Sequence, residues 1–201
     1  MPVPRPAAPA AHQDPAHALA LALAARVAGV AAAQLRLAHR CAHCGSDRHG
    51  VPMVLTEPAP LAVSLSRAPG MVAAAASADA AVGIDIERAD AAGFAGFAEV
   101  AVHPDEQPPT DAAQATRLWV RKEAVLKALG CGLRMDPRLI RLADGADPPA
   151  VLDWPDRRAP TQVELIDVPA GRGYVAALAV IGGRGAAYTQ VSIRAVTSSG
   201  V

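Results

Sequence analysis

An α+β fold is the class this sequence predicts, on three observations. Two stretches carry helix start and stop signals, one from Asp14 to Gly29 and one from Thr110 to Gly130. Short apolar runs, punctuated by Pro, Gly and Asp, lie between and after them. The order helix-then-strands also occurs twice, with the change near Glu87, although no letter-level repeat is visible. Hydrophobic residues make up 52% of the 201-residue chain but aromatics only 3%, so Ala, Val and Leu must build the core.

Each element has a local reason. Residues 1–15 are rich in Pro and Ala and are expected to be disordered. Asp14 can cap a helix that begins at Pro15 and stops at Gly29. Residues 34–40 alternate polar and apolar and read as a strand, as do 54–55 and 61–66 around Pro58 and Pro60. The alanine-rich stretch 70–78 could be helix or strand: local propensity favours helix, whereas the family resemblance given below implies a strand over 72–77. Residues 82–87 form another. Thr110 or Asp111 then caps a helix running to Leu129, with Leu118, Val125 and Leu129 as its apolar stripe. Strands are expected at 139–142, 163–167, 174–181 and 188–194, with loops at 144–149 and 153–160 and a loose tail from Thr197.

Two of these elements carry chemistry. In Gly83-Ile84-Asp85-Ile86-Glu87 the acids fall at every second place, so Gly83, Asp85 and Glu87 share one face of a strand. In the second helix Trp119, Glu123 and Lys127 recur at steps of four and share one face. Three convergent carboxylates beside two lysines suit a hard cation and a polyphosphate, because Mg²⁺ takes oxygen ligands from a few carboxylates plus substrate phosphates. The plainer reading is a solvated acidic strand edge and an exposed Glu123–Lys127 ion pair contributing about 0.2–0.5 kcal/mol. Trp119 on the same face weighs against that reading.

The two segments resemble the paired signatures of the Sfp-type 4′-phosphopantetheinyl transferases, a Gly-x-Asp-x-Glu strand followed by an aromatic-x-x-Lys-Glu-x-x-x-Lys helix. Upstream, Val63-Ser64-Leu65-Ser66-Arg67 resembles that family's Ser-His segment, with Arg67 in place of His. His49-Gly50-Val51-Pro52 resembles its Gly-basic-Pro element, with Val51 in place of the basic residue. The resemblance implies two similar α+β halves about a pseudo-twofold axis, over residues 16–88 and 89–196, with the active site in the cleft between them. It implies transfer of 4′-phosphopantetheine from coenzyme A to a serine of an apo acyl or peptidyl carrier protein. Asp85, Glu87 and Glu123 would hold Mg²⁺, and Glu123 and Lys127 would be catalytic. Ser66, Arg67, Lys122 and Lys127 would bind coenzyme A, Arg67 and Lys122 at phosphates. A catalytically weakened member that only binds coenzyme A or a carrier is the alternative, favoured by Arg67 and Val51.

Composition narrows the partners. Lys plus Arg and Asp plus Glu number 19 each, so no general field favours nucleic acid. The most apolar stretch, 16–33, contains Arg26 and Gly29, and neither a membrane span nor a secretory signal is expected. A cytoplasmic monomer is the expectation. Three cysteines are an odd set for a disulfide framework. Cys41-Ala42-His43-Cys44, with His39 and His49 nearby, could be a zinc knuckle or a plain turn of reduced thiols made by Gly45. With one knuckle where strong zinc signatures show two, the turn is the favoured reading.

Overall fold

The protein is described from a computed structural model, covering residues 14–41, 43–143, 145, 148–154, 163–186 and 189–196. The tail expected at 1–15, up to Asp14, and the one from Thr197 lie outside them. So do Tyr188 and most of the loops expected at 144–149 and 153–160.

Helix α1, Pro15–Ala28, starts where Asp14 accepts a hydrogen bond from the Ala16 amide at 2.9 Å and stops at Gly29, whose φ is 69°. Its buried residues Ala16, Leu19, Ala20, Leu23 and Ala24 form one stripe at helical spacing. That stripe lies on an antiparallel sheet of order β1-β2-β3-β4-β10, made of Arg36–Arg40, Val51–Leu55, Leu61–Ala68, Met71–Ser77 and Gln190–Ala195. A 3₁₀ turn at Ala32–Gln34 takes the first residue expected of β1.

The alanine run is strand β4. Ala74 and Ala76 face the α1 core, while Ala73 and Ala75 face the core on the other side. Burial on both faces of a central strand overrides helical propensity, and methyl side chains let the layers on either side come close.

A second sheet, β5-β9-β8, comprises Ala81–Arg88, Tyr174–Ile181 and Val163–Asp167. One face packs on the first sheet through Val82, Ile84, Ile86, Leu178 and Val180. The other is covered by helix α3, Ala112–Ala128, through Val120, Ala124, Val125 and Ala128. Asp111 caps α3, accepting from the Gln114 amide at 2.8 Å. The order of layers is therefore helix, sheet, sheet, helix. Between β5 and α3 lies a short helix, α2 (Phe97–Ala101), which the sequence reading did not anticipate. A two-stranded ribbon, β6 (Arg141–Leu142) with β7 (Val151–Asp153), follows α3.

The change of layer falls between β4 and β5. Every residue of β5 pairs with β9, from Ala81↔Ile181 to Arg88↔Tyr174, so the chain leaves the first sheet before β5. It returns at the end, when β10 pairs with β4.

Candidate active site

Gly83 brings the site together. A Cβ on this residue would lie 1.9 Å from the Ala124 carbonyl oxygen and 2.5 Å from the Ala128 amide. Only a residue without a side chain lets α3 sit this close to β5, and Ala124 and Ala128 supply the matching small residues. At this separation the next residue on the same strand face, Asp85, meets the side chains of α3.

Asp85 is buried, so the solvated-edge reading does not hold. Its Oδ1 accepts from Lys127 Nζ at 2.6 Å and from Ser66 Oγ at 2.6 Å. Lys127 Nζ also donates to the Ile84 carbonyl at 3.1 Å. Asp85 Oδ2 and Glu123 Oε1 are both buried with no hydrogen-bond partner. Buried carboxylate oxygens are normally satisfied, so each of these two leaves a position that water or an ion could fill. Burial raises the Glu123 carboxyl above its usual range; Lys127 opposes this, and the Asp85 and Glu87 charges add to it. Glu87 is raised by burial and then by Asp85. A set of mutually repelling oxygens with unfilled lone pairs fits a hard divalent cation. The three are more widely spread than a closed ligand set: among the described residues, only Cys41, Cys44 and His49 place three ligand atoms all within 4.8 Å.

A cavity of about 390 Å³ opens beside this cluster, with Lys127, Ser64, Leu65, Gly130 and Arg134 in its lining. Val51 also lines it, and a Cβ on Gly130 would come 2.8 Å from the Val51 methyl. Gly130, at φ 72°, thus both turns the chain after α3 and makes room for β2. Arg134 makes no ion pair with any described residue and is, with Lys127, a cation lining the cavity.

Three residues expected to contact coenzyme A make other contacts in the structure. Lys122 is completely buried, donating to Glu106 Oε2 and to the Ala101 carbonyl, each at 2.7 Å. Glu106 also accepts from the His103 and Leu142 amides at 2.8 and 2.7 Å. Burial lowers the Lys122 pKa, against the hydrogen bond and charge of Glu106. This is a satisfied internal pair. Arg67 is exposed and turned to Asp14, with Nε 3.3 Å from Oδ1 and Nη2 in closer contact with Oδ2. Strand alternation explains it: Ser64 and Ser66 face β5, so Arg67 must face the α1 side. The Ser66 hydroxyl is itself committed, to Asp85 and to the Ile86 amide at 3.3 Å. Ser64 accepts likewise from the Ile84 amide at 3.0 Å. The two hydroxyls satisfy the free edge of β5 and stitch one sheet to the other. Trp119 packs edge-on against Phe97, with ring centroids 6.4 Å apart.

The fold and site define a helix–sheet–sheet–helix protein with an acidic cluster at the junction of its two sheets, beside a cavity lined by cations. Residues 81–179 match the model of the 4′-phosphopantetheinyl transferase superfamily, and over this stretch the chain belongs to that superfamily. The matched stretch carries Asp85, Glu87, Glu123 and Lys127. No curated protein matches the chain significantly. No helix among the described residues is long and apolar enough to cross a membrane.

Proposed function

We propose that this chain is an Sfp-type enzyme that moves 4′-phosphopantetheine from coenzyme A to a serine of an apo acyl or peptidyl carrier domain, releasing 3′,5′-ADP. The observation that carries the reading is the pair of buried, unpartnered oxygens on Asp85 and Glu123, the first on the carboxylate bonded to Lys127, which lines the cavity. Asp85, Glu87 and Glu123 would hold Mg²⁺, which when bound neutralises pyrophosphate charge. Catalysis of phosphoryl transfer rests on positioning and electrostatics. Glu123, its pKa raised by burial, accepts the proton of the carrier serine as that oxygen bonds to the β-phosphorus and the bridging oxygen leaves with 3′,5′-ADP. Lys127 holds Asp85 in place and lends positive charge to the leaving group, and Arg134 faces the phosphates from the cavity wall.

The pairing of α1 with one sheet and α3 with the other supports two similar halves about a pseudo-twofold axis, with the site in the cleft between them. Carrier domains of polyketide or nonribosomal peptide synthesis are the proposed partners, and a cytoplasmic monomer the working form. A weakened member that only binds coenzyme A is the second reading, favoured by the uncharged Val51 in the cavity lining and by Arg67 pairing with Asp14. Incubation with coenzyme A, Mg²⁺ and an apo carrier domain decides between them. A phosphopantetheine mass gain on the carrier supports transfer; coenzyme A binding without that gain supports the second reading.

A further inference from the structure

The loop between β1 and β2 brings together Cys41, Cys44 and His49, whose sulfur and ring-nitrogen atoms all lie within 4.8 Å of one another. Cys44 Sγ and His49 Nε2 are 3.4 Å apart. Tetrahedral zinc, with Zn–S near 2.3 Å and Zn–N near 2.0–2.1 Å, needs sulfur–nitrogen separations of about 3.6 Å and sulfur–sulfur separations of about 3.8 Å. The spacing therefore suits one ion. The backbone supports it from both ends. Gly45 donates to the Cys41 carbonyl and the Cys41 amide donates to the Ser46 carbonyl, each at 2.9 Å, which folds the first arm into a tight knuckle. The second arm is closed by Gly50, where φ is 110° and a Cβ would lie 2.4 Å from the Arg40 carbonyl oxygen. That pinch returns His49 to the cysteines.

We propose that Cys41, Cys44 and His49 bind one Zn²⁺, leaving its fourth position to water, and that the ion holds this loop in shape. Two soft thiolates and an imidazole select zinc over the hard cation suited to the carboxylates. The cluster lies outside residues 81–179, and its assignment does not depend on the transfer reaction. Cys41 and His49 also line the cavity, so the ion would set one of its walls.

The test is the metal content of the full chain, purified with reductant, incubated with zinc and passed through gel filtration. About one zinc per chain is expected, and the cobalt-substituted protein should show thiolate-to-cobalt charge-transfer absorption. Cys44→Ser and His49→Ala alter exposed side chains, so they should fold, as circular dichroism would verify, and each should lose most of the zinc. Glu123→Gln should retain it. Hydrogen exchange across residues 41–51 should quicken when zinc is removed. Less than about a tenth of an equivalent of zinc in the unaltered chain, or full zinc in both loop variants, overturns the proposal.

Discussion

Lys122 and Glu123 are neighbours on α3, yet they face regions with opposite economies of polar atoms. On Lys122's side, the ammonium and Glu106 are both buried and their polar contacts are met by each other and by backbone groups. On Glu123's side, two buried carboxylate oxygens have no partner, and two acids are held above their usual pKa. Completed polar burial keeps loop and helix in place, whereas incomplete polar burial costs stability and is retained where a ligand completes it. One helix thus separates a paired charge from an unpaired one.

Exchanging the two regions' chemistry is the strongest way to break this contrast. Glu123→Gln should lower turnover by about 10²–10⁴-fold while thermal stability stays level or rises, because an unpaired buried charge is removed. Turnover near that of the unaltered enzyme would remove Glu123 from the chemistry. Lys122→Met should do the reverse. Stranding Glu106 costs about 3–5 kcal/mol, a fall in Tm on the order of 10 °C, while the surviving folded enzyme keeps its KM for coenzyme A. A raised KM with unchanged Tm would restore Lys122 to the phosphates.

Gly83→Ala sharpens the contrast at the interface itself. The added methyl must displace α3 from β5, at about 1–3 kcal/mol, and should reduce turnover more than its stability loss alone accounts for. Turnover falling only in step with the folded fraction would show that α3's distance from β5 is not critical.

Acid titration separates the regions without mutation. Glu87 and Glu123 hold protons more tightly when folded than at their ordinary value of 4.5. Their stabilising contribution in metal-free protein is full below that value and is lost as pH rises through the raised folded pKa values. Stabilisation by added Mg²⁺ should run the other way, growing over the same rise. Thermal melts with and without Mg²⁺ check both slopes, and a Mg²⁺ effect independent of pH there would detach the ion from these acids. The smallest effect belongs to Arg67. Its pair with Asp14 is exposed, so Arg67→Ala should cost less than about 1 kcal/mol and leave the KM for coenzyme A unchanged. A clear rise in that KM would show the guanidinium turning to the ligand during catalysis.

What the sequence made legible was whatever depends on short spacing. Asp14, Pro15 and Gly29 bound α1 as read, and alternation placed Gly83, Asp85 and Glu87 together towards α3. Steps of four aligned Glu123 with Lys127. Partnerships across distance were not legible. Nothing near Lys122 announces Glu106, and no pattern tells an edge strand which neighbour it will find. Arg67 is a different case, because the alternation that turned Ser66 inward already turned Arg67 outward. Motif likeness to a Ser-His pair outweighed that signal. The approach of His49 to the cysteines was not legible either, since it depends on the conformation at Gly50.

The return of β10 to β4 has a consequence for how the chain is made. Residues 71–77 are synthesised early, but the strand that covers their outer edge comes from residues 190–195. A growing chain must therefore carry β4 with open amides and carbonyls along this edge until residues 190–195 have been made and have emerged. An exposed strand edge invites pairing with other chains. Alanine at positions 73 to 76 offers such intruders little side chain to grip, so the run that lets the finished layers pack closely also protects the unfinished ones.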